Sequence, residues 1–291
     1  MLEILTTLFN TWQLNFVIYL VSVVSFFQFY KLAVSKTKND GAATVTLQLL
    51  GAVSSIIFIP FFALNFPSEM KWYLLLLGAC LFYATSDRLQ TTARKHLQVS
   101  VVTIINQLQT VFLIIYGWTI FHDEFSFSKL IGALLIISAN LLLNLKENRL
   151  QINKYVGLAV IATFVFSIAL SVDIGISSQF NLPIYVLITL ALPALIISFA
   201  EKVTLQNISQ ELSSSTRKYY LLTGISWALT IIFALRSFQL GEVTTIVPLQ
   251  ATSVMLNVIV AYIFLKERSE IEKKLFAALM VMAGIYLTVV H

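Results

Sequence analysis

Two stretches of thirty residues align without a gap: LQVSVVTIINQLQTVFLIIYGWTIFHDEFS at 97–126 and LGEVTTIVPLQATSVMLNVIVAYIFLKERS at 240–269. They lie 143 residues apart, and eight of the thirty aligned positions are identical. Two of the identical pairs are Gln107 and Gln250, within a predicted membrane-spanning stretch, and Glu124 and Glu267, at its end. A polar residue that recurs in register within apolar sequence predicts an internal duplication.

Apolar stretches of similar length fill the rest of the chain. Hydrophobic residues make up 58% of the sequence and charged residues 11%, whereas a soluble domain carries about 25% charge. Stretches of 18–24 residues, long enough to cross a ~30 Å hydrocarbon core as helices, lie at 14–34, 43–64, 70–90, 98–121, 127–145, 155–178, 182–200, 218–238, 243–265 and 273–290. The sequence therefore predicts an all-α polytopic membrane protein with ten transmembrane helices.

The second five stretches repeat the first five, which predicts two five-helix repeats, at 1–149 and 150–291. Because each repeat has an odd number of spans, its second copy inserts upside down, and a two-fold axis in the membrane plane is expected. Inverted repeats of this kind are common in secondary transporters, where the substrate site lies between the halves near the bilayer midplane.

The basic residues are distributed unevenly between the two sides of the predicted helices. Of the 19 Lys and Arg residues, 16 lie in loops that follow odd-numbered stretches. The other side has three: Lys71, Lys129 and Arg236. Basic residues in short loops favour the cytoplasm, so both termini are expected on the opposite face. Because these charges flank membrane spans, the net charge of +5 predicts no nucleic-acid partner, and membrane lipids are the expected surroundings.

The segments 100–143 and 242–287 resemble the fourth and fifth helices of an EamA-type unit of the drug/metabolite transporter superfamily. Each has a polar start, a helix end with a glutamate, Glu124 or Glu267, and then an Ala- and Gly-bearing stretch. The proline of the pattern is present only in the second half, as Pro248. The resemblance extends over essentially the whole chain, because both five-helix units and their order match.

The resemblance implies a ten-helix transporter of a small organic solute, such as a metabolite, an amino acid or a drug-like compound. Such a protein works by alternating access, as an exporter or exchanger, in the plasma membrane or a bacterial inner membrane. Members of the family usually have both termini in the cytoplasm, so the resemblance and the charge count predict opposite orientations.

Four ionisable side chains lie one or two turns inside the predicted span ends: Lys31, Asp87, Asp173 and Arg236. A charge at the bilayer centre costs at least about 2.5–3.5 kcal/mol, so each is expected to have a partner or a function. The order of the spans predicts two gating or coupling ion pairs, Lys31–Asp87 and Asp173–Arg236. Alternatively, Lys31 and Asp87 reach the lipid headgroups. Asp173 is the expected site of proton coupling, since burial favours the neutral acid unless a cation offsets it.

Neutral polar side chains form a second group in the fourth and ninth spans: Asn106, Gln107, Gln109, Gln250, Thr252 and Asn257. Amides in hydrocarbon need hydrogen-bond partners, so these faces are expected to point into the bundle. They are predicted to bind a polar solute, with Gln107 and Gln250 bordering one central cavity; interhelical hydrogen bonding is the alternative. Tyr83 and Trp227 are candidates to stack on an aromatic or cationic solute, or else to pack in the core.

Other functional classes have little support in the sequence. There is no Gly-x-x-x-x-Gly-Lys-Ser/Thr segment for nucleotide hydrolysis. The three histidines, His96, His122 and His291, lack the spacing of metal ligands, so neither an enzyme, a metal nor a cofactor is predicted. A flippase for a lipid or lipid-linked sugar is the alternative to a solute carrier, and a homodimer remains open.

Overall fold

The computed structural model describes residues 10–34, 37, 39–96, 99–144, 154–213, 217–265 and 271–289. Within these residues the secondary structure is helical and contains no β-strand, so the predicted all-α class is confirmed there. The helices are α1 Trp12–Val34, α2 Asp40–Ile56, α3 Met70–His96, α4 Val99–Thr119, α5 Phe127–Asn144, α6 Lys154–Ile176, α7 Leu182–Ala200, α8 Leu205–Ser213, α9 Arg217–Leu240, α10 Val243–Leu265 and α11 Ile271–Val289.

Ten of these helices lie at the positions of the ten predicted spans, and the short helix α8 lies between the seventh and eighth. The second prediction, 43–64, runs too far, because α2 ends at Ile56 and a 3₁₀ turn follows at Ile59–Phe61. Pro60 lies in this turn; it has no backbone N–H to donate, and its ring disfavours helical backbone at the residue before it.

Four helical segments of the described chain are long and apolar enough to cross a membrane: Trp12–Val34, Lys154–Gln179, Leu182–Ala200 and Arg217–Leu240. Shorter apolar segments lie at Leu108–Thr119, Phe127–Ala139 and Leu279–Thr288. The predicted membrane class therefore agrees with the structure, whereas ten crossings in two inverted repeats stay a prediction.

One compact unit is formed by Met1–Thr91 and Ile168–Leu240. In this unit α1 packs along α9, and α2 packs against both α7 and α9. The crossing of α2 and α9 is close because it is built on two glycines: a Cβ on Gly224 would lie 2.9 Å from the backbone carbon of Leu50 and 3.2 Å from the nitrogen of Gly51. Small residues at a helix crossing let two backbones approach in this way.

The other compact unit is formed by Thr92–Ser167 and Gly241–His291. Here α5 packs against α10 and α11, and α4 packs against α10. Gly132 of α5 and Gly284 of α11 face each other: a Cβ on either would lie 2.6–2.7 Å from the other's carbonyl oxygen. Each unit takes segments from both predicted repeats. This division does not test the predicted repeat boundary at 149/150. A repeat is a continuous stretch of the sequence, whereas a compact unit is a set of segments that pack together.

Candidate functional site

A buried carboxylate joins three helices in the first unit. Asp173, one turn before the end of α6, is 1% exposed. Tyr83 of α3 donates a hydrogen bond from its hydroxyl to Asp173 Oδ2 at 2.8 Å. Tyr185 of α7 donates to Asp173 Oδ1 at 2.6 Å. Both carboxylate oxygens therefore have a phenol donor, and Asp173 is buried among the helices of this unit. We call Asp173, Tyr83 and Tyr185 the tyrosine–aspartate cluster.

The connection between α6 and α7 positions two members of this cluster. Asn181 caps α7 by accepting a hydrogen bond from the Ile184 amide at 3.1 Å. Its side-chain amide donates to the carbonyl oxygens of Phe62 at 3.2 Å and Ala63 at 3.0 Å. Asn181 thus attaches the start of α7 to the segment that follows α2. Because Asp173 and Tyr185 lie one turn to either side of this short connection, the helical hairpin brings them to the same level.

The predicted ion pair between Asp173 and Arg236 is wrong. Arg236 donates to Gln239 Oε1 at 3.1 Å and to Asn10 Oδ1 at 2.9 Å. Asp173 forms no ion pair with any basic side chain that the structure describes. The long Arg side chain reaches polar groups near the end of its helix, while the short Asp side chain is held by the two tyrosines.

A second polar contact lies one turn along α3 from Tyr83. Asp87 Oδ2 accepts a hydrogen bond from the side-chain amide of Gln48 at 2.8 Å. Gln48, on α2, is 1% exposed, and its Oε1 has no hydrogen-bond partner in the described structure. The side chain of Lys31 lies outside the described residues, so the predicted Lys31–Asp87 pair stays a prediction.

The predicted solute-binding amides belong to the second unit. The side chains of Gln107 and Asn257 lie outside the described residues. Gln109 is half-buried, and Asn106 accepts a hydrogen bond from Thr163 of α6 at 3.4 Å. Thr252 donates to the Leu249 carbonyl of its own helix at 2.6 Å. The structure neither joins these residues in one cavity nor excludes them from one, and their predicted role stays a prediction.

Gln250 differs from the other described members of this group. Its Nε2 is buried and donates to no described acceptor. A buried amide donor without a partner loses hydration without compensation, at a cost of about 1–3 kcal/mol. The side-chain amide of Gln250 is therefore available to donate a hydrogen bond to a bound solute.

The two predicted aromatic residues have different surroundings. Tyr83 belongs to the tyrosine–aspartate cluster. The Trp227 ring packs on Phe26 at a centroid distance of 5.3 Å, beside the core cluster that includes Leu47 and Tyr220. This arrangement favours the packing alternative for Trp227.

The contacts that were not predicted from the sequence include two ion pairs between helices and a helix cap. Arg88 of α3 pairs with Glu201 at the end of α7, and Lys129 of α5 pairs with Glu242 just before α10. Asp123 caps α10 by accepting a hydrogen bond from the Thr244 amide at 2.8 Å. Lys129 is one of only three basic residues on its side of the predicted helices, which indicated that it needs an acidic partner. The sequence did not identify Glu242 as that partner.

Comparison with known proteins supports the predicted resemblance. Residues 10–145, which contain α1–α5 and just under half of the chain, match the sequence model of the EamA-like transporter family. The chain contains an EamA-like segment. This match is consistent with the drug/metabolite transporter superfamily, so the recognition made from the sequence is confirmed.

Nearly the whole chain shares its fold with a solved structure. A solved crystal structure, described only as that of a protein, is similar to this chain with a TM-score of 0.74. The similarity covers 95% of this chain and 97% of that one, at 10% sequence identity. At this identity the likeness concerns the fold alone. No curated protein matches the sequence.

Proposed function

We propose that this protein is a secondary transporter that moves a small organic solute across a membrane by alternating access, as an exporter or exchanger. The match of residues 10–145 to the EamA-like family carries the proposal, because that family consists of membrane transporters of small solutes. The solute classes we propose are metabolites, amino acids and drug-like compounds. The membrane is the plasma membrane or a bacterial inner membrane, which the chain crosses several times.

The helix pairs within each unit support the proposed inverted repeat of 1–149 and 150–291. If spans one to five match spans six to ten, α2 corresponds to α7, α4 to α10 and α5 to α11. Each of these helices packs against its own counterpart: Gly51 lies against Leu190, Gly117 against Thr244, and Gly132 against Gly284. Elements near a two-fold axis contact their own symmetry mates, as these three pairs do.

The two compact units are the proposed moving bodies. Alternating access is commonly a rocking of one bundle relative to another. Each unit has its own buried core: Ala33, Ala43, Leu47 and Tyr220 in the first, and Ala139, Met255, Ala277 and Val281 in the second. A body with its own core can move without being unpacked.

The solute is proposed to bind at the amides of α4 and α10, with Gln107 and Gln250 in equivalent positions. Support for this comes from the buried Gln250 Nε2, which has no described acceptor. Gln250→Leu removes this donor and is expected to reduce transport strongly, whereas Gln109→Leu removes another half-buried amide of the group and serves as the comparison. If Gln250→Leu transports as well as the wild type, the amide serves packing instead.

The proposed function is tested with the purified full chain in liposomes. We would load the vesicles with one unlabelled compound at a time and follow counterflow of its tritiated form, over a panel of amino acids, nucleosides and aromatic amines. Rapid exchange that is absent from protein-free vesicles supports a solute transporter. Movement of fluorescent phospholipid between leaflets, without solute exchange, would instead identify a flippase.

A further inference from the structure

The tyrosine–aspartate cluster has a chemistry that solute binding does not use. Asp173 is 1% exposed and Tyr185 is fully buried. The Tyr185 ring is covered by Phe180, at a centroid distance of 5.2 Å, and Phe180 by Tyr73 at 5.5 Å. Both carboxylate oxygens already accept a hydrogen bond from a tyrosine hydroxyl, and the group is buried, so Asp173 has no surface at which an organic solute could bind in this arrangement.

We propose that Asp173 binds the proton that drives transport, and that Tyr83 and Tyr185 are the positioning residues that make its protonation move helices. This inference rests on the proposed transport function. The described titratable groups that face the carboxylate are Tyr83 and Cys80 from α3 and Tyr185 from α7, with Asp87 one turn along α3. None of them is a cation.

A proton fits this cluster better than a metal ion does. Both phenol hydrogens point at the carboxylate, so a sodium ion could bind only by displacing them. A proton needs no such space. In the proposed step a proton from water forms an O–H bond with one oxygen of Asp173, and the neutral acid later returns it to water on the other side of the membrane.

Protonation changes which hydrogen bonds the cluster can form. The oxygen that takes the proton becomes a hydrogen-bond donor. Its hydrogen bond from the tyrosine hydroxyl is therefore weakened. Tyr185 is fully buried and has no alternative described acceptor, whereas Tyr83 is only partly buried. We therefore infer that the Tyr83 bond is the one released, which removes the hydrogen bond between α3 and α6 while α7 stays attached to α6. Protonation thereby favours a different helix arrangement, as coupling requires.

The first test uses the proton itself as the probe. Infrared difference spectra of the full chain in liposomes, recorded on acidification, are expected to show the carbonyl stretch of a protonated carboxyl group. Asp173→Asn should lose this band and Asp87→Asn should keep it. Tyr83→Phe should shift the band, because one hydrogen-bond partner is gone. The matched control Tyr73→Phe, on the same helix, should leave it unchanged.

The outcomes of the first test are decisive in both directions. A band that persists in Asp173→Asn overturns the proposal. So does a band at the same frequency in Tyr83→Phe and Tyr73→Phe. The Tyr83→Phe comparison keeps the test valid even where Asp173→Asn fails to fold, because it retains the carboxylate.

The second test separates coupling from transport. We would use the panel compounds that exchange in counterflow and measure their accumulation under an imposed proton gradient. Tyr83→Phe is expected to lower accumulation by a larger factor than it lowers counterflow, since exchange needs no net proton movement. Tyr73→Phe should retain both.

Two results would overturn proton coupling while leaving the proposed function intact. One is counterflow by the wild type without any accumulation under the gradient. The other is accumulation that disappears when choline replaces sodium. If no panel compound exchanges and only phospholipid moves, the proposed solute transport itself fails.

Discussion

At the scale of single residues, Asp173 and Arg236 are each held by their own set of hydrogen-bond partners. Asp173 binds two tyrosines, and Arg236 binds Gln239 and Asn10, with no shared hydrogen-bond partner. We therefore expect the destabilisation of Asp173→Asn and Arg236→Gln to be additive within about 0.5 kcal/mol. A double-mutant cycle of unfolding free energies in detergent measures this. Recovery of stability in the double variant would instead indicate a direct pair.

The hydroxyl of Tyr185 offers a second measurement at this scale. Tyr185→Phe keeps the ring but removes the 2.6 Å hydrogen bond to Asp173. A hydrogen bond to a charged group stabilises by about 1.5–3 kcal/mol, and a loss of this order is expected in detergent unfolding. Tyr73→Phe, whose ring packs in the same aromatic row, is the matched control. Equal stability of both variants would mean that the Tyr185 hydroxyl contributes nothing.

At the scale of helices, glycine positions determine how closely neighbours pack. A methyl group at Gly224 would lie 2.7 Å from Leu50 Cβ, so Gly224→Ala must push α2 and α9 apart. Overpacking of this kind costs about 1–3 kcal/mol. Gly157→Ala, on α6, has nothing within 4 Å of the added carbon and should be neutral or slightly stabilising. Thermal unfolding of both variants distinguishes a crossing glycine from a free one, and equal midpoints would contradict the close crossing.

A carboxylate packed against a glycine offers a further measurement on a helix. Glu201 lies close to the position that a Cβ on Gly41 would occupy, at the start of α2, and also pairs with Arg88. A negative charge near a helix N-terminus is stabilising by about 0.3–1 kcal/mol. Gly41→Ala should displace this carboxylate and lower the unfolding free energy, whereas Gly78→Ala, with open space around it, should not. Equal unfolding free energies of the two variants would show that the carboxylate moves aside without cost.

At the scale of the whole molecule, the distribution of basic residues predicts the orientation of the chain in the membrane. Ser68 and Lys202 are both exposed and lie at opposite ends of the helices of the first unit. The 16 to 3 distribution of basic residues predicts that Lys202 faces the cytoplasm. In a Cys80→Ala background, a membrane-impermeant maleimide should label Ser68→Cys in intact cells. Lys202→Cys should react only after permeabilisation; the reverse pattern would establish cytoplasmic termini.

The helices and most of their ends could be predicted from the sequence because their causes are local. A run of apolar residues long enough to cross the bilayer predicts a helix wherever it occurs. Asn39 and Asn181 cap α2 and α7 through their own side chains. The turn at Pro60 also has a local cause, although the predicted span 43–64 ran past it. The inward position of Asp173 also followed from the sequence, since a carboxylate is too costly to face lipid.

The partners of these side chains were decided by tertiary structure alone. An α-helix turns once in about 3.6 residues and rises about 1.5 Å per residue, so a small rotation or shift selects a different neighbour. Span order placed Asp173 near Arg236, but the hairpin at Asn181 and the position of α3 brought it to Tyr185 and Tyr83 instead. Hydrophobicity along the chain determines that a charge must be buried; only the packing of helices determines what it meets there.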